Sequence, residues 1–383
     1  MPRHPAFAST LAGITGSVYS RLAHKLATYQ GEIYPLHVGD TYLPPAEGCR
    51  AENFTEATHP GMHRYTAPQG RLDLLDAIID RTARTQGLGA ERGEVLVTAG
   101  ATGGLGAVIG AIVNPGDEVV ILAPFWPLIA GIVRTFGAVP VLVPFFGVAS
   151  DAASAEAALA AAITDRTVAV YWNTPSNPTG LVIPGDWLEA LVGLARRHDL
   201  WILADEVYEH YAWGAPHVYT RPLAPERTFS THSFSKAYGM AGNRCGFMIG
   251  PAAAMEAARK VSTHSFYAAP TVAQLCARAA LAGPGDAWAA DAATKYAAVG
   301  RAAAERLGLP APAGSTFLFV DVADGLDDRG LAGFLEDVVE EGVFLAPGES
   351  FGPYPTHVRL CYTAAPPDVV LRGVEVVARR LGR

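Results

Sequence analysis

From residue 94 onward the chain repeats one pattern: a short apolar run, rich in β-branched residues, that stops abruptly at polar ones. "EVLVTAG", "EVVILAP", "VPVLVPF", "TVAVYWN", "LWILADE", "RTFSTHS" and "GFMIG" are the runs. A strand with one wet face alternates apolar and polar residues, whereas a continuous apolar run implies cover on both faces. The intervening segments are long enough for crossover helices. The pattern therefore predicts an α/β domain with a mainly parallel seven-stranded sheet flanked by helices.

The polar residues gather at one end of these runs. "VLVT" opens into "AGATGG", "VAVYW" into "NTPSNPTG", "WILA" into "DEVY" and "RTFST" into "HSFSK". Ligands of open parallel sheets bind beyond the carboxyl ends of the strands, commonly at helix N-termini. The last hundred residues change character: "DAATKYAAVGRAAAERLGL" reads as a long helix, and "STFLFVDV", "GVFLAPG" and "HVRLCYT" as shorter alternating strands of a smaller α+β domain. The expected division is an N-terminal segment, 1–45, packed on the small domain; a large domain, 46–285; and a small C-terminal domain, 286–383.

A chain of 383 residues can bury a large core without disulfides or a metal. A net charge of −8, with no lysine or arginine run, argues against nucleic acid and acidic membrane surfaces. No secretory signal is recognisable, "GATGGLGAVIGAIV" is too short to span a bilayer, and Cys49, Cys245, Cys276 and Cys361 form no CxxC pair. The expectation is a cytoplasmic protein with reduced thiols. His59 and His63 flank a Pro-Gly and so do not share a helical face, and no metal site is expected.

One lysine stands out. In "SFSKAYGMAGNRCG" Lys236 lies among small, hydroxylated and glycine residues, with Arg244 eight positions on. It is either part of a surface turn or a partly buried amine whose lowered pKa makes it a nucleophile.

"NTPSNPTG", "DEVYEHY", "SFSKAYGMAGNRCG" and "VRLCYT", in this order, resemble the class I/II aminotransferases, fold type I enzymes that use pyridoxal 5′-phosphate. The resemblance runs from "LHVGDTYLPP" to the end of the chain. It implies that Lys236 forms the Schiff base with the cofactor and then acts as acid and base. Asp205 would hold the pyridine nitrogen protonated, although an aspartate ending an apolar strand could also be a cap; Glu206 does not take that role in the resemblance. Tyr208 and Asn177 would donate to the ring oxygen, and Asn177 could equally serve the "NPTG" turn.

For the phosphate, the resemblance implies Ala101 and Thr102 at a helix N-terminus, with Ser233 and Arg244 completing the cup and Tyr65 reaching it from a neighbouring subunit of a homodimer. Trp126 would stack on the ring, unless it is a core residue like Phe125. Arg359 would pair with the substrate carboxylate, with Gly39 and Asn177 beside it. The implied activity is transfer of an amino group from an L-amino acid to a 2-oxo acid by a ping-pong cycle. The alternative is a lyase or synthase working by β- or γ-elimination on the same cofactor. A dicarboxylic donor would need a second cation. "VSTHSFYAAPTVAQL" offers His264 and no arginine, while Tyr42, Trp126 and Phe266 are expected near the pocket, so neutral apolar or aromatic donors are expected over aspartate. The other source of a cation is the N-terminal Arg21 or Lys25.

Overall fold

The computed structural model describes residues 7–14 and 23–383. All seven apolar runs are strands: β1 (Val95–Thr98), β2 (Glu118–Ala123), β3 (Val139–Pro144), β4 (Thr167–Asn173), β5 (Trp201–Asp205), β6 (Thr228–Ser233) and β7 (Gly246–Ile249). They form one sheet in the order β1-β7-β6-β5-β4-β2-β3, in which β7 runs antiparallel to both neighbours and the other pairings are parallel.

The helices are α1 (Ala23–Leu26), α2 (Leu72–Gln86), α3 (Gly100–Ile112), α4 (Leu128–Thr135), α5 (Ala152–Ala160), α6 (Gly185–Arg197), α7 (Ala252–Ser265), α8 (Thr271–Ala282), α9 (Pro284–Arg306), α10 (Gly330–Glu340) and α11 (Pro367–Arg380). Successive side chains of a strand point to opposite faces, and β4 shows where each face goes. Ala169 and Tyr171 enter a core with Leu105, Ile129 and Met255 of α3, α4 and α7, while Val170 and Trp172 enter one with Leu159, Leu188 and Leu191 of α5 and α6. Helices on both sides are what make strands such as β4 apolar on both faces; β6 is buried as fully but carries Thr, Ser and His, and β3 at the edge is partly exposed.

A second sheet, in the order β8-β10-β9, is made by β8 (Phe317–Asp321), β9 (Ala346–Pro347) and β10 (His357–Cys361), all antiparallel. Most of β8 and all of β10 past its first residue are buried, so the expected alternation of wet and dry positions is weak there. "GVFLAPG" yields only the two residues of β9, because its earlier part pairs elsewhere. Tyr34 bridges Val343 in parallel, and the Phe344 N–H donates to the Tyr34 carbonyl at 3.1 Å. Leu36 is fully buried in the core of this second sheet. Helix α9 passes from one core to the other, placing Ala289 in the large-sheet core and Val299, Ala303 and Ala304 in the small-sheet core.

Candidate active site

The ends of β4, β5 and β6 meet the N-terminus of α3 around a cavity of about 220 Å³. Its lining includes Ala101, Thr102, Trp126, Asn177, Asp205, Tyr208, Ser233, Lys236 and Arg244, so nine of the residues singled out from sequence share one space. Arg359 and Gly39 lie directly behind Asn177 and Lys236. Tyr65 lies elsewhere: it is 92% exposed, edge-on to Tyr267 with ring centroids 5.4 Å apart, on a surface hollow with Met62 and Phe266.

The anion end is built from a helix terminus, which presents unpaired N–H groups and a positive dipole end. Thr98 Oγ1 donates to the Gly100 carbonyl at 2.9 Å, fixing the turn from β1 into α3. Gly100 has φ +71°, and a Cβ there would lie 2.5 Å from Arg244 Nη2. The guanidinium thus occupies the space that a side chain would take. Arg244 itself has φ +54°, a conformation that L-residues adopt at a cost, and its Nη1 donates to the Ala241 carbonyl at 2.9 Å. Ser233 Oγ accepts from the Ser235 N–H at 3.0 Å, placing a second hydroxyl in the lining.

Asp205, 3% exposed, ends β5 beside Asn173 of β4. Its Oδ2 accepts from the Tyr171 hydroxyl at 2.7 Å, and its Oδ1 accepts weakly from the Val207 N–H at 3.4 Å. Burial pushes its pKa up to about 6, against the opposing effect of these hydrogen bonds. Among the described residues Asp205 forms no ion pair, so a buried carboxylate faces the cavity without a cation. Glu206 is satisfied on its own, accepting from the Thr220 N–H at 2.8 Å and the Ser230 hydroxyl at 2.7 Å. Behind it Glu209 pairs with Arg81 at 3.2 Å and His232 at 3.1 Å, all three nearly fully buried.

Lys236 is partly buried and its Nζ donates to the Gly39 carbonyl. Desolvation lowers its pKa, and although Asp40 and Cys361 act to raise it, Arg359 and Arg244 add to the lowering. An amine so placed loses its proton more readily than an exposed lysine.

Arg359 of β10 is 1% exposed. Its Nη1 donates to Asn177 Oδ1 at 3.1 Å and its Nη2 to the His37 carbonyl at 2.6 Å, with the guanidinium carbon 4.4 Å and 4.9 Å from the ring centres of Phe317 and Phe351. A guanidinium only donates, so the Asn177 oxygen must face it and the amide NH2 is left to donate. Gly39 is required by close approach: a Cβ would lie 2.9 Å from Phe317 Cζ and 3.8 Å from Arg359 Nη1. The His37 ring, its pKa lowered to about 4 by burial and by Arg359, adds no competing charge.

Sequence reasoning missed Tyr171, Asn173 and Ser235. Ser235 carried a usable signal, since it lies between Ser233 and Lys236 in the same motif, in the turn just past β6. Tyr171 carried none, being one aromatic residue in an apolar strand.

A helix N-terminus with a guanidinium against it, a buried carboxylate without an ion pair and a desolvated amine share one cavity of a doubly covered sheet, an arrangement suited to a group-transfer enzyme that works through a bound cofactor. The chain belongs to the aminotransferase class I and II family, whose model matches residues 33–377. It is 34% identical over 339 residues to the aspartate/prephenate aminotransferase of Thermus thermophilus, covering 84% of each chain. To the arginine–pyruvate transaminase of Pseudomonas aeruginosa it is 32% identical over 370 residues, covering 94% of this chain and 93% of that one. Among solved structures, the aspartate aminotransferase of Thermus thermophilus with maleate superposes with a TM-score of 0.90 at 29% identity, over 99% of this chain and all of that one. The protein is an aminotransferase, of a family generally dependent on pyridoxal phosphate and acting on amino acids and 2-oxo acids. No helix among the described residues is long and apolar enough to cross a membrane.

Proposed function

We propose that the cavity holds pyridoxal 5′-phosphate and that Lys236 is its covalent attachment point. The observation that carries the reading is Asp205: a buried carboxylate with no cation of its own suits a protonated pyridine nitrogen. The cradle over Gly100 and the hydroxyls of Thr102 and Ser233 suit a phosphate in the same way. When bound, the cofactor supplies an electron sink for the bonds at the substrate Cα.

The chain's residues do the rest. Asp205 keeps the ring nitrogen charged. Asn177, through its free NH2, and Tyr208 donate to the ring oxygen, and Trp126 covers a ring face. The N–H groups of Ala101 and Thr102, with Ser233 and Arg244, hold the phosphate. With the cofactor bound, the Lys236 amine would take the proton from the substrate Cα and deliver it to the cofactor C4′, which its lowered pKa favours. Arg359, held by Asn177 and His37 from behind, presents its guanidinium to the α-carboxylate, with Gly39 leaving the room. The exposure of Tyr65 suits a homodimer in which the partner subunit's Tyr65 reaches the phosphate. Residues 286–383 act as the small domain that carries Arg359, with the segment before residue 45 joined to it. Four buried free thiols suit a reducing cytoplasm.

The donor is read as a neutral apolar or aromatic L-amino acid. The cations lining the cavity are Lys236 and Arg244, both already assigned, and His264 lies exposed at the end of α7. Arg21 falls outside the described residues. The names of several relatives point instead to aspartate, so kcat/KM for phenylalanine, leucine, methionine and aspartate decides between them. The amino-transfer itself is tested in a half-reaction: amino acid alone should convert the bound cofactor stoichiometrically to its amine form, and a 2-oxo acid should convert it back. Release of ammonia instead would establish the elimination reading.

A further inference from the structure

Tyr171 is 0% exposed and belongs to the core between the sheet and helices α3, α4 and α7. A phenol hydroxyl in such a layer must find a partner, and this one donates to Asp205 Oδ2 at 2.7 Å across 34 residues of sequence. The strand register makes the contact inevitable. Asn173 pairs with Asp205 and Tyr171 with Leu203, so the tyrosine lies two residues back along the same face and its hydroxyl reaches forward to the carboxylate. One carboxylate oxygen is thereby taken from inside the protein, and the other, held only by the 3.4 Å contact from Val207 N–H, remains for the cavity.

We propose that Tyr171 is a positioning residue for the reaction, which orients Asp205 and keeps it ionised so that one oxygen always faces the cofactor. The inference rests on Asp205 meeting the pyridine nitrogen. The other charged or titratable groups around Asp205 are Glu206 beside it, Tyr208 after it, His232 on β6, and Lys236 and Arg244 in the lining of the same cavity. Glu206 disfavours the carboxylate and His232 favours it. Burial raises the pKa of the Tyr171 phenol well above the ordinary value, so the hydroxyl stays a donor wherever the enzyme works. A neutral donor stabilises the charged form of its acceptor, so its loss must raise the pH at which Asp205 takes up a proton.

The test is Tyr171→Phe, which removes one oxygen and leaves the ring that packs the core. Binding of pyridoxamine phosphate, which forms no bond to Lys236, is measured by equilibrium titration across acid and neutral pH. In the wild type, affinity falls as pH drops through the Asp205 pKa. In Tyr171→Phe that fall should begin about one pH unit higher. In an Asp205→Asn background the same substitution should change nothing further, which a merely structural tyrosine would not obey. A ring-fluorinated tyrosine placed at position 171, a stronger donor, should move the fall to lower pH, and this keeps the test decisive if Tyr171→Phe folds poorly. An unmoved profile, or effects that add in the Asp205→Asn background, overturns the proposal. If Asp205→Asn itself leaves affinity and its pH profile intact, the assignment of Asp205 fails, and Tyr171 with it.

Discussion

Gly100→Ala separates the anion cradle from the rest of the site. At φ +71° an alanine pays about 1–2 kcal/mol of backbone strain. Its methyl would also lie 2.5 Å from Nη2 and 3.1 Å from Cζ of Arg244, well inside contact distance. The helix turn is fixed by Thr98, so the guanidinium is the part that moves, and it moves away from the N-terminus of α3. A hydrogen bond to a charged group is worth about 1.5–3 kcal/mol, so phosphate binding should weaken roughly 10- to 100-fold. The assay is equilibrium titration with pyridoxamine phosphate and with pyridoxamine, which differ only in the phosphate. Affinity for the first should drop and affinity for the second should hardly change. Gly106→Ala is the control: in the same helix, with nothing within 4 Å of the added methyl, it should raise stability by about 0.5–1 kcal/mol and leave both affinities alone. Parallel loss of both ligands in Gly100→Ala, or no loss, would refute the cradle.

Lys236→Ala should abolish turnover yet still bind pyridoxamine phosphate, and borohydride reduction of the wild type should label Lys236; a label on Lys260 or Lys295 would contradict the assignment. Arg359→Lys should raise KM for amino acids far more than it lowers kcat, because an ammonium cannot serve Asn177, His37 and a carboxylate with one planar fork. Arg81→Met should cost about 3–5 kcal/mol in urea unfolding at neutral pH by leaving Glu209 buried without its cation. Burial alone would raise the Glu209 pKa, but Arg81 and His232 hold it well below the ordinary value. The stability it contributes is therefore present above its unfolded pKa and is lost as pH falls, so the gap between variant and wild type should narrow in acid.

The sheet was legible because most of its strands are covered on both sides and so write apolar runs, although β3 is partly exposed at the sheet edge and β6, buried throughout, is mostly Thr, Ser and His. Asn177, Asp205 and Lys236, at or just past the ends of those runs, were singled out by four motifs whose order resembles a known family; their position at the mouth of the sheet alone left a cap or a turn open for each. What escaped is what depends on lateral neighbours. Tyr171 contacts Asp205 through strand register, and Arg244 fills the space above Gly100, 144 positions earlier in the sequence. Neither relation leaves a periodic trace. Glu209, Arg81 and His232 escaped for the same reason: each looks like a surface charge until α2, β6 and the loop after β5 enclose them. The pairing of Tyr34 with Val343 shows the limit in another form, since it takes up part of a run that read as one strand.

Arg359 is held by a carbonyl 322 residues earlier and an amide 182 residues earlier. Every residue lining the cavity precedes Ile249, where β7 completes the large sheet. On the proposed roles, the groups this chain supplies to the cofactor are therefore all made, in order of synthesis, long before the one for the substrate carboxylate. Contacts of such long sequence separation are slow to form. With those roles, the molecule acquires the means to grip its cofactor first and the means to choose its substrate last, and the proposed reaction waits until the two ends of the chain have met.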